Sequence, residues 1–135
     1  MSRSVKSKAT VADTGPDARE ALILAVVRGT VSSPPDVRVL PSETKLVQLQ
    51  VTTRLVDEKL SMPVSCFDPV AWVESLAPGD EIVIVGRIRR RFFRAGGATA
   101  SRVELDATYV ARAGDRRRVL AALRRAHAAL ETLDP

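Results

Sequence analysis

A chain of 135 residues holds one domain with a short surplus, and an apolar content of 45% is enough for a hydrophobic core. The net charge is +5, with arginine supplying seventeen of the 21 cations, which favours an anionic partner. One cysteine (Cys66) and one histidine (His127) exclude an internal disulfide and a zinc centre, and no apolar run is long enough for a membrane-spanning helix.

Residues 1–20 lack both an apolar period and a signal-peptide core, and read as a flexible tail on a cytoplasmic protein. "ALILAVVRGTV" (21–31) is apolar at consecutive positions and predicts a strand buried on both faces. Its surplus row of Leu22, Leu24 and Val26 calls for a subunit contact. Pro34 and Pro35 break the chain. "TKLVQLQVTTR" (44–54) alternates, with Val47, Leu49 and Val51 on the core side. "SMPVSCF" (61–67) turns Met62, Val64 and Cys66 inward and Ser61, Ser65 and Phe67 outward. Asp68-Pro69 predicts an N-cap and first turn for a short helix through Leu76, with Trp72 plugging the core. "EIVIVGRIRRRFF" (81–93) is the longest strand, and Ala95-Gly96-Gly97 turns it into a partner from about Thr99 to Arg112. Val103, Leu105, Ala107 and Tyr109 form that partner's expected apolar face.

Five strands with a helix between the third and fourth predict an all-β fold, a five-stranded OB-fold barrel. A C-terminal α-helix follows at 114–133. Its apolar stripe is Val119, Leu120, Leu123, Ala126, His127 and Leu130, with Arg117, Arg118, Arg124 and Arg125 opposite. It could pack on its own barrel, pair with another subunit or lie on nucleic acid. The expected domains are a tail (1–20), the OB domain (21–112) and a basic amphipathic helix (113–135).

The segment "GRIRRRFFRAGGATASR" (86–102) carries five arginines within nine residues and no acid. Period-two geometry puts Phe92 with Ile82, Ile84 and Ile88 on the core side. Phe93 goes outward with Arg87, Arg89 and Arg91, unless a bulge near Arg90 exchanges the two. Exposed rings among guanidiniums suit single-stranded nucleic acid, whose bases can stack while phosphates meet the cations. Glu104 and Asp106 share the outer face of the last strand, where arginine partners are expected.

The blocks "PDVRVLPS" (35–42), "VQLQVTT" (47–53), "VSCFDPVAW" (64–72), "APGDEIVIVGRIRRRFF" (77–93) and "GGATASRVEL" (97–105) resemble the bacterial single-stranded-DNA-binding protein family, its actinobacterial members most closely. The resemblance covers about residues 21–112 and implies an OB fold, a homotetramer and stacking aromatics, with Phe67 and Phe93 at stacking positions. Ser61 and the loop after Thr53 fall where many members carry tryptophan. The family usually ends in an acidic-hydrophobic tip that recruits repair proteins, and none is expected here.

The expected single-strand contacts are Arg28, Arg38, Lys45, Arg54, Phe67, Arg87, Arg89, Arg91, Phe93, Arg94 and Arg102. The function so read is single-stranded DNA binding without strong sequence preference, in replication, recombination or repair. A homotetramer or homodimer associated with the nucleoid is expected, without catalytic residues, cofactor or metal. Alternatives are an OB-fold adaptor with incidental nucleic-acid affinity and an RNA-binding OB module.

Overall fold

Val47, Leu49 and Val51 alternate with polar neighbours, and all three are buried against a common interior. The protein's structure is a computed structural model that describes residues 22–132. The expected tail (1–20) and the final three residues lie outside the described residues. The elements are β1 (Ala25–Val31), β2 (Asp36–Val39), β3 (Lys45–Arg54), β4 (Lys59–Phe67), a 3-10 helix (Ala71–Ser75), β5 (Glu81–Ala95), β6 (Ala98–Arg112) and α1 (Arg116–Glu131).

Five of the strands close into a ring. β1 pairs antiparallel with β3 and β5, β5 with β6, and β3 with β4, while β4 and β6 run parallel. Each ring strand therefore has two partners, so the ring hides its edges. The short β2, which the sequence reading passed over, adds to β3 outside the ring and is exposed throughout. The inward rows of the ring meet in one core, centred on Val31, Leu49, Val64, Ile82, Ile84 and Leu105.

The helix expected from Asp68 is a 3-10 turn that begins later. Asp68 adopts a left-handed φ of 47°, and its carboxylate accepts from the Lys45 backbone N–H at 2.8 Å. That bond ties the end of β4 back to β3, so Asp68 does not cap the turn. The turn still delivers Val73, buried, and packs Trp72 against the core beneath the Arg112 guanidinium.

β5 and β6 are each 15 residues long, longer than any other strand. Gly96 and Gly97 join them with φ of 59° and 84°, the doubly left-handed turn that suits a two-residue hairpin. Opposite Val85 and Gly86 the register slips by one: Val85 faces Tyr109 and Gly86 faces Ala107. Thr108 is the extra residue, and its hydroxyl donates to the Val85 carbonyl at 2.9 Å. A bulge exchanges the faces of everything beyond it. Val110 therefore joins the core, and Tyr109, expected there by alternation, points outward beneath α1.

Asp115 caps α1 by accepting from the Arg118 N–H at 3.2 Å. The helix docks on the outside of the ring through Ala122 and Ala126, against Leu24, Val85 and Tyr109. This differs from the expected leucine stripe. Leu120, Leu123 and Leu130 are exposed, and His127 sits in solvent with Glu131 at 3.6 Å. Alanine lets the helix approach the sheet closely, which a leucine row would prevent. The first strand is accordingly not buried on both faces. Its own helix covers Leu24, while Leu22 and Val26 remain exposed.

Candidate nucleic-acid interface

Gly86 lies just before the β5–β6 hairpin leaves the ring, since Asp106 and Leu105, opposite Arg87 and Ile88, still pair with β4. A Cβ there would lie 2.2 Å from the Asp106 carbonyl oxygen, so only glycine allows the two strands to cross this closely. Up to Gly86 the residues of β5 after Glu81 are buried; from Arg87 onward nearly all are exposed. The core ends at Leu105, opposite Ile88, and beyond that pair the hairpin projects as an arm. The register is unbroken from Gly86 to Ala95, so no bulge near Arg90 exchanges the faces.

One face of the arm carries Arg87, Arg89, Arg91 and Phe93 from β5, beside Arg102, Glu104 and Asp106 from β6. Arg91 Nε donates to Glu104 Oε2 at 2.9 Å, and Ser65 Oγ donates to the same oxygen at 2.9 Å. Arg102 Nη2 stands 3.8 Å from Glu104 Oε1, and Arg89 Nη1 donates to Asp106 Oδ2 at 3.1 Å. Glu104 is wholly buried although it lies on the outer face. Burial alone would push its carboxyl up, but the hydrogen bonds from Arg91 and Ser65 and the charges of Arg91 and Arg102 outweigh that and hold it below the usual carboxylate range. The expected arginine partners of Glu104 and Asp106 are therefore in place. The Arg102 guanidinium also sits 5.9 Å from the centroid of Phe93, a ring that is 42% exposed. Arg94 reaches the Gly97 carbonyl at the tip.

The other face of the arm carries Ile88, Arg90, Phe92 and Val103. Phe92, expected in the core, is 67% exposed, because the core ends at the Ile88–Leu105 pair before it. Arg90 Nη1 beside it donates to Ser101 Oγ at 2.9 Å. Both phenylalanines consequently present rings to solvent.

The remaining expected residues are dispersed. Phe67, 39% exposed, closes β4 on the outer face, two residues after Ser65. Arg28 and Arg54 line a groove of about 620 Å³ with Lys59, and Arg28 is clasped there by Glu81 at 3.0 and 3.3 Å. Arg38 is paired with Asp36 at 3.0 Å on the exposed β2, and Lys45 Nζ with Glu74 of the 3-10 helix at 2.7 Å. The structure thus gathers Arg87, Arg89, Arg91, Phe93, Arg94 and Arg102 on one arm and leaves Arg38 and Lys45 outside it. The sequence reading placed Phe92 and Tyr109 in the core and did not name Arg90 or Lys59 among the contacts. Gly86, an isolated glycine in a strand pattern, was the available signal for the arm.

Cys66 is buried, and its thiol is pushed up to about 12, by burial first and by the Asp106 charge second. Among the described residues no cluster of His, Cys, Asp and Glu could hold a metal ion, and no helix is long and apolar enough to cross a membrane.

The five-stranded ring with its projecting hairpin defines an OB-like protein. A solved structure with this fold is the single-stranded DNA binding protein from Thermus aquaticus, matched with a TM-score of 0.57 and 21% sequence identity. The match covers 67% of this chain and 40% of that one, so the chain spans well under half of its length. No family model and no curated protein matches the chain.

Proposed function

We propose that this chain binds single-stranded DNA without strong sequence preference, through the arm of β5 and β6 and the outer face that continues it to Phe67. The observation that carries this reading is the placement of Phe93 among Arg87, Arg89, Arg91 and Arg102 on a strand pair whose outer end runs beyond the core. Stacking contributes about 1–3 kcal/mol per base and needs an unpaired base, whereas duplex DNA hides its rings. The fold shared with a single-stranded DNA binding protein supports the same reading. Binding in replication, recombination or repair, with nucleoid association in the cytoplasm, follows from that ligand, and no catalysis is assigned.

Residues 21–112 would form the binding module and residues 113–135 its helical appendage. Leu22, Ile23 and Val26 remain exposed along and before β1, and we propose that this apolar edge supports a homo-oligomer, in which Leu24 contributes only through the helix that covers it. Salt-dependent titrations with oligo-dT, the matching duplex and oligo-U test the proposal. A clear preference for oligo-dT over duplex is expected. Equal affinity for duplex would reduce the arm to a generic basic surface, and strong preference for oligo-U would make RNA the ligand.

A further inference from the structure

Phe67 does not end the outer face. Next to it the Thr108 bulge turns Tyr109 outward, and α1 runs past that ring. Between them lies a groove of about 350 Å³, lined by Phe67, Val70, Tyr109, Arg118 and Arg125 among others. The Arg125 guanidinium covers the Tyr109 ring at 4.8 Å from its centroid. Arg118 is held at the rim by Asp115 at 3.1 Å, and a second depression shares Arg118 and Tyr109 and adds Arg117. Asp68 lines the groove too, but its carboxylate is engaged by the Lys45 backbone. Among the described residues no carboxylate is in ion-pair range of Arg117 or Arg125.

We propose that this groove is a further nucleotide subsite, in which α1 acts as a wall of the single-strand path rather than as packing alone. The inference rests on the single-strand reading given above. The helix buries Ala122 and Ala126 in its packing, and it also presents cations beside two aromatic rings. A base would stack on Phe67 and the exposed plane of Arg125, and its phosphate would meet Arg118. The groove and the arm lie on the same face of the sheet, because Ser65, two residues before Phe67, donates to Glu104 beneath Arg91. A strand laid along Phe93, Arg91 and Phe67 reaches it without changing face.

Tyr109 is the chain's only tyrosine, so the full chain labelled with 3-fluorotyrosine gives one fluorine resonance at the groove. Saturating oligo-dT of about 16 nucleotides, the upper range for one OB fold, is expected to shift that resonance. Arg118→Gln with Arg125→Gln should abolish the shift, weaken binding about tenfold and lower the salt slope by about 0.7 for each phosphate no longer neutralised, while arm-dependent binding persists. Far-UV circular dichroism checks that the double variant keeps its helix, and the unmutated protein carries the test if it does not. An unmoved Tyr109 resonance at saturation, with affinity still sensitive to Phe93→Ala, overturns the subsite and leaves the arm standing. No affinity for oligo-dT at all overturns both.

Discussion

Arg91 and Glu104 meet across the β5–β6 arm at 2.9 Å, with the carboxylate wholly buried and the guanidinium side chain one-third exposed (32%). Arg91 is thereby a positioned cation rather than a free one. The pair, with Ser65, ties the arm to β4 and fixes its angle to the ring.

Removing the carboxylate should cost stability. Glu104→Ala leaves Arg91 and Ser65 without their partner, and a loss of about 1–3 kcal/mol is expected. The pH dependence has a definite sign. The folded carboxyl titrates below its unfolded value of about 4.3, so its contribution is complete above that pH and fades as pH falls through the lower folded value. Thermal melts from pH 6 to 3 should therefore show a smaller acid loss in Glu104→Gln than in the parent. Equal acid losses would show that the pair contributes nothing to folding.

Gly86 permits the crossing on which the arm depends. Gly86→Ala would force a Cβ into the Asp106 carbonyl, a backbone group that cannot rotate away. A loss of about 3 kcal/mol or more is expected from such overpacking. Gly96→Ala meets no neighbour within 4 Å and carries only the strain of its left-handed φ, about 1 kcal/mol. Chemical denaturation of the two variants checks the ranking.

What could be read from the residues was governed by how far alternation holds. In β3 and β4 the core row follows it, and Val47, Leu49, Val51, Val64 and Cys66 are core residues as expected. Leu46 and Ser65 on the opposite face are buried too, Ser65 because it sits against Glu104 rather than in solvent. In β6 it fails at Thr108, because a bulge leaves no residue signature there and Tyr109 changes face. In β5 the alternation is intact but the core ends at the Ile88–Leu105 pair, so Phe92 has the right parity and no core to pack against. Apolar rank misleads in α1 for a different reason: the docking distance favours Ala122 and Ala126 over the larger leucines. The cationic arm itself was legible, since "RIRRRFFR" permits few other surfaces. The Tyr109 groove was not, because it joins residues that the bulge and the helix bring together.

Cys66 should be inert in the native protein. Its thiol is buried and pushed up to about 12, so almost no thiolate exists at pH 8. Ellman's reagent should react with one equivalent of thiol in denaturant and with none over the same minutes in buffer. Rapid native labelling would mean that the β4–β6 seam opens readily.

The two adjacent phenylalanines now make a sharper test than their parity alone suggested. Phe92 is two-thirds exposed on the apolar face of the arm, so Phe92→Ala should change stability by about 0.5 kcal/mol or less, whereas Ile84→Ala in the core should cost about 2–5 kcal/mol. Phe93→Ala should likewise leave the melting temperature nearly unchanged but weaken oligo-dT binding by about 1–3 kcal/mol, one stacking platform. The arginines around it should not behave alike. Arg89 and Arg91 are held by Asp106 and Glu104, while among the described residues no carboxylate is in ion-pair range of Arg87. Arg87→Ala should therefore lower the salt slope by about 0.7, one phosphate contact on a single strand. Arg91→Ala should act more on stability than on slope, because it strands the buried Glu104. Titrations with oligo-dT at several salt concentrations, beside thermal melts of the same variants, separate the two effects. If Phe93→Ala leaves affinity intact while Arg87→Ala lowers it, the arm binds phosphates without stacking bases, and the preference for single strands loses its physical basis.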